Sequence, residues 1–81
     1  MNYRPTRRFE RSFKKFQAEV KNAFKKQISL LLKDLRHPSL RAKKYDESHD
    51  VWQARVTHNV RFYFVIDGNE YVLIDIEKHR D

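Results

Sequence analysis

The apolar residues of this chain change their period near residue 51, and that change restricts the fold to helices laid against a sheet. Before it, the spacing is helical. Phe9, Phe13 and Phe16 stand at i, i+4 and i+7 behind Thr6, a residue suited to capping, and predict a first helix over about residues 7 to 17. Val20, Phe24, Ile28, Leu31, Leu32 and Leu35 predict a second helix over about residues 19 to 35, stopped by the proline of His37-Pro38. So little chain joins them that an antiparallel hairpin must result. Its opposite faces are basic, with Arg7, Arg8, Arg11, Lys14 and Lys15 on the first helix and Lys21, Lys25, Lys26 and Lys33 on the second. Tyr3 is expected in a short strand ahead of the hairpin.

After residue 51 the period is two. Trp52, Ala54 and Val56 share one face of a strand, with Gln53, Arg55 and Thr57 on the other; Phe62, Phe64 and Ile66 then alternate with Arg61, Tyr63 and Val65. For the two apolar sets to share a face the turn needs an odd number of residues, which Thr57-His58-Asn59 provides with Asn59 in a left-handed conformation. This register puts Arg55 and Arg61 side by side on the outward face. In the last strand, a two-residue Gly68-Asn69 turn would pair Asp67 with Glu70 and turn Tyr71 and Leu73 toward Phe64. An odd loop or a bulge would turn Val72, Ile74 and Ile76 there instead. The second arrangement is preferred, because it hides three β-branched residues and brings His79 toward Arg61.

Between the halves, the stretch from about residue 36 to 50 is too short to separate domains, so residues 1–81 are expected to form a single domain. Leu40 and Tyr45 are expected to pin this connector to the core, leaving Arg41, Lys43 and Lys44 as a basic knot beside the sheet. A net charge of +7, from 18 Lys and Arg against 11 Asp and Glu, favours a polyanion or an acidic protein as partner. With no cysteine, disulfides, thiolate metal sites and cysteine nucleophiles are excluded. The histidines lack metal-binding spacing, so no metal or cofactor is expected. No apolar run suits export or membrane insertion, and the expected location is cytoplasmic.

The order of these features, Lys43-Lys44, Trp52, Arg55, Arg61-Phe62, the run Val72 to Ile76 and His79, resembles the RelE/ParE superfamily of toxins from toxin–antitoxin systems over nearly the full length. The resemblance implies an α+β fold in which the helical hairpin packs on one face of a small, mainly antiparallel sheet. It implies a toxin that enters the ribosomal A site and cuts mRNA, or alternatively one that poisons DNA gyrase, or an inactive nucleic-acid-binding member. In either active branch an antitoxin wraps the toxin, and the complex often binds operator DNA.

Metal-independent RNA cleavage requires activation of a 2′-hydroxyl, stabilisation of charge on the phosphate, and a proton for the departing 5′-oxygen. A guanidinium stays charged and grips two phosphate oxygens, so Arg61 is assigned the phosphate with Arg55 in support. His79 is the candidate acid, an imidazole being able to release a proton near neutrality, and it stands where nuclease relatives carry a catalytic histidine or basic residue. Lys43, Lys44 and Arg41 are expected to position the backbone, and Gln53 occupies a place where some relatives have lysine. An outward Tyr63 is expected to stack on a base, in place of the aromatic with which many relatives continue beyond the position of Asp81. For the general base the candidates are Lys43, Lys44, Glu47 and Asp50, among which the sequence does not choose.

Overall fold

Thr6 joins the first strand to the first helix and also ties both to the last strand. In the computed structural model, which describes residues 1–79, strand β1 (Asn2–Pro5) leads through Thr6 into helix α1 (Arg7–Phe13). The Thr6 hydroxyl accepts from the Phe9 amide at 3.2 Å, which caps the helix as its position predicts. Helix α2 (Ala18–Lys33) follows, then a 3₁₀ turn (Pro38–Leu40), β2 (Lys43–Asp46), a second 3₁₀ turn (Glu47–His49), β3 (Val51–Thr57), β4 (Val60–Asp67) and β5 (Glu70–Lys78). The five strands form one sheet in the order β1-β5-β4-β3-β2, antiparallel except where β1 runs parallel to β5. Two helices packed on a mostly antiparallel sheet make the fold α+β, as expected.

Helix α2 buries Phe24, Gln27, Ile28 and Leu31, a stripe at i, i+3, i+4 and i+7. The ring of Phe24 lies 5.3 Å from Phe9 and 5.2 Å from Phe13, joining the helices, and meets Phe62 of central strand β4 edge-on at 5.3 Å. From the sheet, Ala54, Val56, Val60, Phe62, Phe64, Tyr71, Leu73 and Ile76 complete the core, and Leu40 closes it from the connector. Trp52 stacks on Phe64 from the same face. No helix among the described residues is long and apolar enough to cross a membrane.

Both helices are shorter than their apolar stripes. The first stops at Phe13 because the amides of Lys15 and Phe16 bond three residues back, to Ser12 and Phe13, and tighten the chain into a turn. The second stops at Lys33, where Asp34 turns extended (φ −160°). Pro38 is therefore not the stop; it opens the 3₁₀ turn that seats Leu40.

The strand registers also correct the expected turns. Arg55 does face Arg61, but the loop between β3 and β4 has two residues, since Thr57 already pairs with Val60, and the odd residue is a bulge at Val56. Asn59 does not adopt the left-handed conformation; among the described non-glycine residues only Arg41 and Asp50 do so. Between β4 and β5 both weighed geometries occur in sequence. Gly68, at φ 60°, makes the two-residue turn that pairs Asp67 with Glu70 and sends Tyr71 and Leu73 inward. A bulge at Ile74 then shifts the phase, so that Ile76, but not Ile74, joins the core.

Each bulge interrupts a hydrogen-bond ladder, and each is met by a polar side chain at or near a helix. The buried Gln27 amide donates to the Arg55 carbonyl at 2.9 Å and the Ser39 carbonyl at 3.0 Å, joining α2, β3 and the connector. The Thr6 hydroxyl lies 2.8 Å from the Leu73 carbonyl and 3.2 Å from that of Ile74, and the Asp75 carboxylate accepts from the Ile76 amide at 2.9 Å. Bulges that leave no buried carbonyl or amide unsatisfied carry little desolvation cost.

Candidate nucleic-acid interface

The outward face of the sheet is a grid set by the registers. One row runs Arg55, Arg61, Glu77 across β3, β4 and β5; the next runs Lys43, Gln53, Tyr63, Asp75 from β2 to β5. Neighbours along a row lie about 5 Å apart and rows about 7 Å apart. The cationic end of this grid gathers Lys43, Arg55 and Arg61, and the acidic end gathers Asp75 and Glu77 of β5 with Asp46 at the far end of β2.

At the cationic end, Arg41, Lys43, Gln53, Arg55, Arg61 and His79 line one cleft of about 220 Å³. Five elements of sequence converge there. Arg41 arrives by a left-handed residue (φ 46°, ψ 42°) that ends the first 3₁₀ turn and redirects the chain into β2. His79 is fixed at the backbone, its amide donating to the Asn59 carbonyl at 2.6 Å, which holds the end of β5 against the β3–β4 turn. Arg61 does not pair with Glu77, its cross-strand neighbour. Its Nη1 turns back onto the carbonyls of Thr57, His58 and Val60 at 2.9, 3.1 and 3.2 Å, anchoring one corner of the guanidinium. Facing arginines destabilise a strand pair, and an anion held between them reverses the sign of that interaction.

Four candidate residues, Lys44, Glu47, Asp50 and Tyr63, lie elsewhere. Lys44 pairs with Trp52, on the opposite side of β2 from Lys43, and its ammonium is held by Asp50 at 2.9 Å and Glu47 at 3.9 Å, over the Trp52 ring. The hydrogen bond to Asp50 raises its pKa above the ordinary lysine value. Of the four candidate bases, Lys44, Glu47 and Asp50 thus form a cluster of their own, and Lys43 alone lines the cleft. Tyr63 faces outward but belongs to a neighbouring cleft at the acidic end, where its ring meets that of Tyr45 at a tilt, 4.8 Å between centroids. Tyr45 is 61% exposed and does not pin the connector to the core. The missed signal is the edge strand β2: in a strand, Lys43 and Lys44 must point to opposite faces and Tyr45 must follow Lys43 outward.

The acidic end has its own electrostatics. Asp46 accepts from Ser48 and from His49, which hold its carboxyl down at about 2. Burial, with the Glu77 carboxylate second, pushes the Tyr63 phenol up to about 12. The fold therefore favours the protonated phenol. Its contribution to stability is complete below the ordinary value of 10.0 and is lost as pH rises through about 12. Titrating phenolate absorbance should show one of the four tyrosines ionising last, near pH 12, and that step should vanish in Tyr63→Phe and move down in Glu77→Gln. Four tyrosines ionising together near pH 10 would contradict this environment.

No protein-family model matches the sequence, and no curated protein is similar to it in sequence. Solved structures are similar in fold. A YoeB/ParE toxin from Agrobacterium tumefaciens superposes with a TM-score of 0.79 at 14% identity, covering 99% of this chain and 100% of that one. YafQ from E. coli strain BL21(DE3) gives 0.78 at 15% identity over 95% and 91% of the two chains. A chain of the RelB-RelE antitoxin-toxin complex from Methanococcus jannaschii gives 0.75 at 15% identity over 96% and 89%.

Proposed function

We propose that this chain, having the fold of the RelE- and YoeB-type toxins, is the toxin of a toxin–antitoxin system and cuts mRNA on the ribosome in the cytoplasm. The observation that carries this reading is the convergence of Arg41, Lys43, Arg55, Arg61 and His79 in one cleft on the face of the sheet opposite the helices. Four cations around a space of this size suit a phosphodiester, and the imidazole supplies the proton that cleavage of its ester bond requires.

In the reaction, the 2′-oxygen of one nucleotide attacks the adjacent phosphorus, the bond from phosphorus to the 5′-oxygen breaks, and a 2′,3′-cyclic phosphate forms. Negative charge builds on the non-bridging oxygens between Arg55 and Arg61, where a fixed guanidinium needs little reorganisation to receive it. His79 gives its proton to the departing 5′-oxygen. The proton of the attacking 2′-hydroxyl passes to Lys43, the one candidate base that lines the cleft, in its unprotonated form, while Arg41 and Gln53 hold the flanking backbone. Lys44, tied to Asp50 and Glu47, takes no part in this assignment. The expected partners are an antitoxin with an acidic segment that covers the cleft, the ribosome and mRNA; the toxin–antitoxin complex is expected to bind operator DNA.

Primer extension on a reporter mRNA, after expression without an antitoxin, tests the proposal. Cuts should fall within translated codons, disappear when the start codon is removed, and disappear in His79→Ala and Arg61→Ala. Growth arrest with DNA damage and intact mRNA would transfer the protein to the gyrase-directed branch, and absence of arrest would exclude both activities.

A further inference from the structure

Beyond the cationic cleft the same sheet face continues into a second one, of about 230 Å³, whose walls include Tyr45, Tyr63, Val51, Ile74 and Glu77. We propose that this cleft receives the base next to the phosphate bound at Arg55 and Arg61, and that it selects guanine; the inference rests on the RNA reading above.

The charge gradient of the grid decides which part of a nucleotide can lie where. Arg61 and Glu77 are cross-strand partners, about 5 Å apart, so a phosphate at the first places its own nucleotide's base within reach of the second. The backbone is disfavoured there, because three carboxylates, Asp46, Asp75 and Glu77, line the second cleft against one cation, Arg8, which is already paired with Asp75. An uncharged base is not. Tyr45, exposed and 4.8 Å from Tyr63, presents an aromatic face at the mouth, and Val51 and Ile74 supply apolar wall. Stacking on such a surface accepts any base.

Selection comes from the carboxylate with acceptor capacity to spare. Asp75 is engaged by Arg8 at 3.1 Å and by the Ile76 amide, and Asp46 by Ser48 and His49. Glu77 is exposed and makes no ion pair among the described residues; it accepts from the Tyr63 phenol and keeps its other lone pairs for further donors. An ionised carboxylate only accepts hydrogen bonds. Guanine alone of the four RNA bases offers two adjacent donors, N1–H and the N2 amino group. Adenine and cytosine set an acceptor nitrogen beside their amino group, and uracil flanks its one N–H with carbonyls. A lysine or arginine from a protein partner would suit tyrosines and acids too, but it must enter the field of a +7 molecule beside Arg55 and Arg61.

Binding of 2′-O-methyl trinucleotides that differ at one base, read by fluorescence anisotropy, separates this inference from the nuclease reading, because the probes lack the attacking hydroxyl and cannot be cut. Guanine should bind about tenfold tighter than adenine, with inosine between them. Glu77→Gln should bring the three close to parity, and Tyr45→Ala should weaken all three alike. Equal affinities in the wild type, with mRNA cleavage intact, overturn the guanine pocket and leave the nuclease. Guanine preference without any mRNA cuts keeps the pocket and discards the nuclease, and failure to bind any probe overturns the pocket. Glu77-dependent binding of an arginine-rich peptide, with no base preference, assigns the cleft to a protein and overturns the inference.

Discussion

Arg61→Ala is expected to slow mRNA cleavage by about a hundred- to a thousandfold while leaving the protein folded, the usual effect of removing a preorganised charge from a developing oxyanion. The side chain is half-buried opposite Arg55, and three carbonyls of the β3–β4 turn fix its Nη1. Removing it therefore takes away a charge whose position needed no rearrangement during the reaction. Those carbonyls sit at a surface turn, where water can replace the lost donor, so the stability cost is small. Arg61→Lys keeps the charge but cannot hold the turn and two phosphate oxygens together, and should recover only part of the rate. Single-turnover cleavage on programmed ribosomes, with thermal denaturation of each variant, checks both halves. A rate within tenfold of the wild type, or a collapse in melting temperature, would mean that Arg61 does not stabilise the phosphate in the transition state.

Phe62→Ala should act in the opposite way, costing about 3–5 kcal/mol of stability without touching the cleft. Phe62 is completely buried on central strand β4, edge-on to Phe24 of α2 and 5.6 Å from Phe64, so its loss opens a hole between both helices and the sheet. A chain of 81 residues buries only about 60–65% of its unfolded surface and has a thin stability margin, so a loss of this size should leave a substantial fraction unfolded. Urea denaturation of the purified protein measures it. A loss below about 1 kcal/mol would mean that the helices do not rest on Phe62.

The cationic cleft was legible in the sequence because it depends on parity. Ala54 and Phe62 must both face the helices, which forces Arg55 and Arg61 outward and opposite each other, whatever device lies between them. The device itself was not legible. Neither Val56 nor Ile74 differs in chemistry from its neighbours, and what permits a bulge at each is a remote polar side chain, Gln27 or Thr6, that meets the interrupted ladder. For the same reason the expected left-handed Asn59 was unnecessary. Strand β2 escaped notice because its four residues, KKYD, carry no apolar alternation to read, and with it went the separation of Lys43 from Lys44 and the true neighbour of Tyr45. The guanidinium of Arg61 was expected to answer to phosphate; its turn toward backbone carbonyls is a matter of rotamer, which no sequence pattern encodes.

The parallel pairing of β1 with β5 sets an order of assembly during synthesis. Residues 2 to 5 find their partners only at residues 70 to 73, so the first strand made must wait for the last. Until then α1 has no β5 to lie on, and its apolar side stays uncovered by the sheet. The cleft is completed later still, since His79 follows β5. A nascent chain therefore has a period in which it can be bound, held or degraded before its sheet and the cleft on it are complete.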